Sequence, residues 1–282
     1  WQAPSIKPNQ GFDRATARSG WSVEDDYLMV IGMRSGGKSL PNVGALAAYE
    51  RFGQRLITSD AMPLFPHCAS PWRHSTVTAN IGGLGTGMAE GAKLLTQNEV
   101  ANGHLLSYQI DTPGLCRWIR QIFWKPTAYV LIVDRVFIEP NDPFTLGVNW
   151  RCAGQTLNID NELATLNFNS DLNGQFYVQV SKGLHLTSET NTYPALGAPL
   201  ETPPISETML HATTNHHAQD GEISVATLLH AAVETTHPIY HLNTHDTQWT
   251  VQGPNETHQF AKEITNGEMA ISIGPQTKQK EV

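Results

Sequence analysis

The segment CRWIRQIFWKPTAYVLIVDRVFI, residues 116–138, contains the two strongest strand patterns in the chain. Its first part, CRWIRQIFW, alternates inward and outward positions, which is typical of a β-strand. Its second part, YVLIVDRVFI, is apolar almost throughout and indicates a long buried strand. Pro126 lies between the two parts and favours a turn. The segment therefore predicts two long strands joined by a turn.

Shorter segments of the same kind continue along most of the chain. Strands are predicted at 12–19, 27–33, 55–58, 76–81, 92–96, 104–110 and 145–152, and in a regular series of short segments from 157 to 273. The segment ALAAYERF, residues 45–52, is compatible with a helix by propensity, but it is short and ends at Gly53. About fifteen short strands without a strong helix predict an all-β fold, an antiparallel β-sandwich of large stacked sheets.

The sequence predicts one β-sandwich domain over residues 12–275. Residues 1–11 contain two Pro and are predicted to be a linker or entry arm, and the polar residues 276–282 a frayed tail. The segment NTYPALGAPLETPPI, residues 191–205, contains four Pro and marks a loop or a boundary within the domain.

The composition excludes some classes of partner. The net charge of −8 disfavours general binding of nucleic acid, and no apolar run is long enough to span a membrane. Only 16% of the residues are charged, and Thr, Asn, Gln and Gly are frequent. This composition favours a secreted or periplasmic β protein.

The cysteines and most histidines do not predict a metal site. Cys68, Cys116 and Cys152 are far apart in the sequence and are expected to be buried thiols. Seven His residues lie between residues 211 and 245, but the best-spaced three lie around the strand-like segment IYHLN, where they do not share one helix face. These residues are His211, His216, His217, His230, His237, His241 and His245. We predict no cofactor, and a divalent metal is disfavoured.

A nucleotide-binding loop is the main alternative raised by a local motif. The segment GMRSGGKS, residues 32–39, has the spacing of a P-loop and follows an apolar run. A P-loop requires a helix directly after its Lys-Ser pair, whereas Leu40-Pro41-Asn42 follows here. The chain also lacks the alternation of strands and long amphipathic helices that a nucleotide-binding sheet requires.

Polar and charged side chains concentrate in the loop between the strand-like segments RLIT and TVTANI. Residues at the ends of strands are often functional, because the rigid strands position the loops. The members of this group are Asp60, His67, Arg73, His74 and Asn80. The alternative is an ordinary surface loop that joins two strands.

The order of the segments resembles that of the heparinase II/III-like polysaccharide lyase family. The resemblance covers residues 12–152 and is carried by FDRATARSGW, DDYLMVIG, GALAAYERFGQRLITSD, RHSTVTAN and AYVLIVDRV. It implies a β-supersandwich that follows an (α/α) toroid, and it therefore implies an α-toroid domain of a longer chain as a partner. It also implies activity on uronate-containing polysaccharides or oligosaccharides, such as heparan sulfate and alginate, by β-elimination.

The chain departs from the pattern of the family at its histidines. A His-x-His-x-x-Asp motif is expected after the Gly-rich turn, but residues 38–43 contain no His. A later His-Asn pair is replaced by Ala79-Asn80, whereas Asp60 matches the Asp of the family. In relatives that bind a metal, the missing His residues supply ligands. The departures therefore disfavour a metal site and support a second hypothesis, a non-catalytic carbohydrate-binding or structural domain.

The chemistry of a uronate lyase assigns roles to six residues. Removal of the proton beside the carboxylate requires neutralisation of that carboxylate, which Asn80 and Arg73 would provide, and a base, for which His74 is the candidate. Lys38, His67 and Asp60 are the candidate substrate-binding residues. The alternatives are structural: Asn80 completes a strand end, Arg73 pairs with Asp60, the two His residues are solvated, and Tyr49 belongs to the core.

Overall fold

The structure is a computed structural model, in which strands make up most of the chain. It describes residues 6–7, 9–33, 43–58, 70–82, 84–85, 89, 91–100, 102–112, 116–138, 143–169, 173–193, 205–217, 221–233, 239–245 and 248–261. The strands are β1 Arg14–Arg18, β2 Tyr27–Ile31, β3 Leu46–Arg51, β4 Gln54–Ile57, β5 Val77–Ile81, β6 Leu84–Gly85, β7 Ala92–Val100, β8 Gly103–Thr112, β9 Cys116–Lys125, β10 Tyr129–Ile138, β11 Pro143–Ala153, β12 Gln155–Asp160, β13 Leu163–Asn169, β14 Gly174–Val180, β15 His185–Tyr193, β16 Ile205–His217, β17 Glu222–Val233, β18 His241–His245, β19 Gln248–Gln252 and β20 Thr257–Ala261. A 3₁₀ turn spans Pro71–Arg73.

The strands form three sheets. The nine-stranded sheet has the order β1-β2-β3-β4-β11-β16-β15, and β5 pairs with both β11 and β6. The eight-stranded sheet has the order β12-β13-β14-β17-β10-β9-β8-β7, and a small sheet has the order β18-β19-β20. All of the described strand pairs are antiparallel. The predicted all-β fold of stacked antiparallel sheets is therefore confirmed.

Two apolar layers separate the three sheets. The larger core lies between the two large sheets, where Trp118, Ile132 and Trp150 are among its buried members. A second core lies where the small sheet covers the other face of the eight-stranded sheet, and it includes Leu131 and Trp249. Strand β10 contributes to both cores because its successive side chains point to opposite faces. This explains why YVLIVDRVFI is apolar almost throughout.

The buried side chain of Arg120 connects the two large sheets. Arg120 of β9 donates from Nε and Nη2 to Asp134 of β10, at 2.7 and 2.9 Å. Its Nη1 donates to the carbonyl oxygens of Gly44 and Ser75, at 3.0 and 2.9 Å, and both of these residues flank strands of the nine-stranded sheet. Arg120 therefore fixes the segment that follows the 3₁₀ turn, because the guanidinium presents its donors in a rigid geometry.

The structure corrects two predictions of secondary structure. The helix-compatible segment 45–52 forms strand β3, which pairs with β2 and β4. Its residues Leu46 to Tyr49 are fully buried, so the pairing and packing of the strand override the helix propensity of Ala and Leu. The predicted series of short strands begins at residue 157, whereas strand β12 begins at Gln155, since QTLNID is polar and mostly exposed and its start gives no apolar signal.

Other predictions have mixed outcomes. Tyr49 is a core residue as expected, and Cys116 and Cys152 are buried free thiols. Cys68, the motif residues 34–42, the predicted strand at 269–273 and the tail lie outside the described residues. The antiparallel sheets contradict a P-loop nucleotide-binding fold, which needs a parallel sheet. Within the described ranges, no helix has the length and apolar character required to cross a membrane.

Candidate functional site

The strongest polar constellation lies on the outer face of the nine-stranded sheet, where β11 pairs with β5 and β16. Residues of β11 that face the core alternate with Gly147, Asn149 and Arg151 on the outer face. Across the sheet, Asn149 is opposite His211 of β16, and His211 is opposite Thr187 of β15. This face is therefore polar because the period of two along each strand places the apolar residues in the core.

Asn149 holds His211 in one tautomer. The amide nitrogen of Asn149 donates to the carbonyl oxygen of Thr76 at 3.3 Å and to Oγ1 of Thr78 at 3.1 Å. Its Oδ1 therefore faces Nδ1 of His211, at 2.8 Å, and this oxygen can only accept a hydrogen bond. Nδ1 consequently carries the hydrogen, and Nε2 of the neutral ring carries the lone pair.

The surroundings of His211 favour its neutral form. Partial burial lowers the pKa of His211, and the positive charge of Arg73 lowers it further, whereas Glu189 acts in the opposite direction. The ring of Trp72 packs edge-on against the imidazole, with 6.2 Å between the ring centroids. A partly exposed, neutral His with a fixed tautomer is suited to accept a proton at Nε2.

The 3₁₀ turn places a positive charge beside this histidine. Nη1 of Arg73 donates to Oε1 of Glu189 at 3.1 Å. The amide of Asn191, with its oxygen toward Arg73, accepts from Nη1 at 2.8 Å and donates to Glu189 at 3.1 Å. Because Arg73 and Glu189 are both partly exposed, their ion pair contributes little to stability.

A glycine makes room for the aromatic member of the group. A Cβ atom at Gly147 would lie 3.0 Å from Cζ3 of Trp72 and 2.8 Å from Oγ1 of Thr78. The indole therefore lies close over the sheet, and Trp72 remains 38% exposed. We call this group the Arg73–His211 surface, and it consists of Trp72, Arg73, Asn149, Glu189 and His211.

The structure locates three of the six predicted site residues. Arg73 belongs to the Arg73–His211 surface, where it pairs with Glu189; the alternative pairing with Asp60 involves a residue outside the described ones. Asn80 is partly exposed and lies on the same face of β5 as Thr78. His74 is only 1% exposed, so it is not a solvated loop residue, and its catalytic role stays a prediction. Lys38, Asp60 and His67 lie outside the described residues.

Sequence reasoning missed Asn149, Glu189 and His211 as a group. In the sequence His211 is one of seven scattered histidines, and Asn149 lies within a predicted strand. The one usable pattern is that Gly147, Asn149 and Arg151 alternate with apolar residues, which indicates a polar face. The part of the chain that the structure describes contains no group of three or more His, Cys, Asp or Glu residues placed to hold a metal ion.

Comparison with known proteins gives a structural likeness without a sequence match. No protein-family model matches the chain, and no curated protein matches its sequence. The structure is similar to a mutant of heparan sulfate lyase HepC from Pedobacter heparinus, with a TM-score of 0.72 and 13% identity over 92% of this chain and 43% of that one. Another structure of HepC has a TM-score of 0.70 and 12% identity, over 98% of this chain and 44% of that one.

A third structure, described as heparinase III, has a TM-score of 0.67 and 14% identity, over 89% of this chain and 41% of that chain. The chain thus spans less than half the length of each of these lyases. It is an all-β sandwich with the fold of one part of heparinase III, and the likeness supports a distant structural relationship to it.

Proposed function

We propose that the chain is the β-sandwich part of a polysaccharide lyase-like protein and that the Arg73–His211 surface binds uronate-containing polysaccharides. The observation that carries the proposal is a partly exposed Arg beside a neutral His of fixed tautomer, on an open polar face. The fold shared with heparan sulfate lyases supports the choice of ligand. The low share of charged residues, 16%, supports secretion or a periplasmic location.

In this proposal each member of the surface has a distinct role. Arg73 exchanges Glu189 for the carboxylate of the uronate and thereby stabilises the negative charge that develops during proton removal. Nε2 of His211 accepts the proton from the carbon beside that carboxylate. The electron pair of the broken C–H bond forms the C=C bond, and the glycosidic oxygen departs with a proton from an acid. We propose that the acid belongs to an α-toroid domain of a longer chain.

A binding experiment tests the surface itself. Heparan sulfate, alginate, hyaluronan and pectin are titrated into the chain by calorimetry, at low and at moderate salt. Arg73→Ala should weaken binding of the preferred polysaccharide roughly tenfold or more, because a charge-assisted hydrogen bond of about 1.5–3 kcal/mol is lost. Glu189→Gln should strengthen binding, because it frees Arg73 from its internal carboxylate.

Arg55→Ala is the matched control, since Arg55 is also an Arg of the nine-stranded sheet paired with a glutamate, Glu50. It should bind like the parent chain. Equal affinities of all three variants, or no binding of any of the four polysaccharides, would contradict the proposal.

An activity assay separates catalysis from binding alone. Elimination produces an unsaturated uronate, which absorbs ultraviolet light, so the absorbance of each polysaccharide mixture is followed over time. A rise that His211→Gln abolishes, while binding persists, supports elimination at this surface. Binding without any rise favours the non-catalytic carbohydrate-binding domain, which the replacement of the family histidines at 38–43 and at Ala79 also favours.

A further inference from the structure

A cleft of about 340 Å³ opens between the two large sheets at one edge of the sandwich. Strand β1 is the edge strand of the nine-stranded sheet, and β7 is the edge strand of the eight-stranded sheet. Residues of β1, β2, β7, β8 and β9 line the cleft, and none of them belongs to the Arg73–His211 surface. Its volume lies in the lower part of the range for small-ligand sites, roughly 300–1,000 Å³.

The cleft exists because small side chains face large ones across the edge. Ala15 and Ala17 are the side chains that β1 turns toward the core. They stand opposite Leu106, Ile122 and Trp124 of the eight-stranded sheet, which line the same space. Interiors of proteins are normally close-packed, so an open space of this size at an edge is a specific feature of the chain.

The chemistry of the walls selects an amphipathic, uncharged ligand. The inner wall is apolar, whereas Gln97, Asn98 and Glu99 of β7 form an exposed polar rim together with Thr16. The described lining includes no Lys or Arg, and the exposed carboxylate of Glu99 lies at the rim, 3.9 Å from Nδ1 of His104. A sugar ring matches this arrangement, because its C–H face is apolar and its hydroxyl groups donate and accept hydrogen bonds.

A pair of aromatic rings, those of Trp124 and His104, also lines the cleft. Trp124 is 2% exposed, and its indole Nε1–H has no acceptor among the described residues. Its ring stacks on His104, which also lines the cleft, with 5.3 Å between the centroids. The N–H group itself is buried, as are those of Trp150 and Trp249, so a ligand in the cleft contacts the ring of Trp124 rather than this donor.

We propose that this cleft is a binding site for a neutral sugar ring, separate from the Arg73–His211 surface. The ring places its apolar face against Leu106, Ile122 and Trp124, and its hydroxyl groups reach Gln97 and Asn98 at the rim. A linear aliphatic chain fits less well, since it has no polar groups to place against Gln97 and Asn98 at the rim. A uronate fits less well because of Glu99.

Nuclear magnetic resonance of the indole N–H groups tests the proposal directly. Cellobiose and methyl β-glucoside serve as neutral probes, glucuronate as the acidic probe and 1-octanol as the apolar probe. The Trp124 signal, assigned with Trp124→Phe, should shift saturably with the neutral sugars. Trp150 and Trp249 are internal controls, because their indoles are equally buried but lie in the two cores. Their signals should stay in place.

Two variants define the site and its charge preference. Ala17→Leu fills the cleft and should abolish the shift of Trp124 while the melting temperature is kept. Glu99→Gln should admit glucuronate and leave the response to cellobiose within about twofold of the parent. No shift with either neutral sugar, or a shift with 1-octanol alone, would overturn the proposal. Arg73→Ala should respond to cellobiose like the parent chain, so failure at one site is distinguishable from failure at the other.

Discussion

The outer face of the eight-stranded sheet and the outer face of the nine-stranded sheet around β11 are built on opposite principles. The eight-stranded sheet presents Phe123, Leu131 and Val133 on its outer face, and the small sheet covers them. The nine-stranded sheet presents Asn149 and Arg151, whose polar groups pair with neighbouring side chains within the same face. The apolar face needs a cover because exposed apolar area is unfavourable in water, whereas a polar face with internal partners is stable while it remains open to a ligand.

Truncation of Trp249, which the small sheet packs against the eight-stranded sheet, should have the largest effect on stability. Trp249 is fully buried between the small sheet and the eight-stranded sheet. Trp249→Ala should lower the free energy of unfolding by about 3–5 kcal/mol, as is usual when a large core aromatic is truncated. Denaturant unfolding followed by circular dichroism measures the loss.

Leu157→Ala is the control for that experiment, because Leu157 is an exposed apolar residue of β12. Its effect should stay within about 0.5 kcal/mol. A loss of under about 1 kcal/mol for Trp249→Ala would mean that the cover contributes little to the stability of the sandwich.

Acid should loosen the covered face. Burial lowers the pKa of His230 to about 3, and it also lowers the pKa of His258. Both residues contact the small sheet or belong to it: the backbone N–H of Tyr240 lies 3.4 Å from Nε2 of His230, and His258 is part of β20. The unfolded chain takes up these protons near pH 6.5, before the folded chain does. Stability should therefore fall as the pH decreases from about 6.5 toward 3.

The dependence of stability on pH is measured from denaturant midpoints between pH 7 and pH 4. Each unit of pKa difference corresponds to about 1.4 kcal/mol, so the total loss should be roughly a few kcal/mol. His230→Phe keeps an aromatic ring for stacking on Tyr177 and removes the titrating group. It should flatten the curve, and an unchanged slope in this variant would show that His230 does not cause the acid sensitivity.

On the open face, loss of the residue that orients His211 should have a smaller effect on stability and a specific effect on its ring. Asn149→Ala removes the acceptor at Nδ1 and leaves Thr76 and Thr78 without its amide. The free energy of unfolding should fall by about 1–3 kcal/mol. Nitrogen chemical shifts of labelled His211 should change from a single Nδ1–H tautomer to a mixture. A single unchanged tautomer would show that another group orients the ring.

The sequence predicted the fold better than the site because the two depend on different distances along the chain. Strand β10 has the predicted limits, because its ten successive and mostly apolar residues are themselves the pattern of a buried strand. Residues 45–52 favour a helix by propensity, and they form strand β3 because they pair with β2 and β4. That pairing is not visible in the local sequence. The Arg73–His211 surface depends on still longer pairings, with Asn149 62 residues from His211 and Arg73 116 residues from Glu189. No local pattern encodes such a register.

Strands β16 and β17 are consecutive in the sequence but lie in different sheets, and this has a consequence for the order of folding. Strand β16 joins β11 to β15, and β17 joins β14 to β10. Until residues 205–233 have left the ribosome, each large sheet is split into two parts with unpaired inner edges. Such edges favour aggregation. Both sheets are therefore completed by one late segment, and a nascent chain that stalls before it should depend on chaperones to stay soluble.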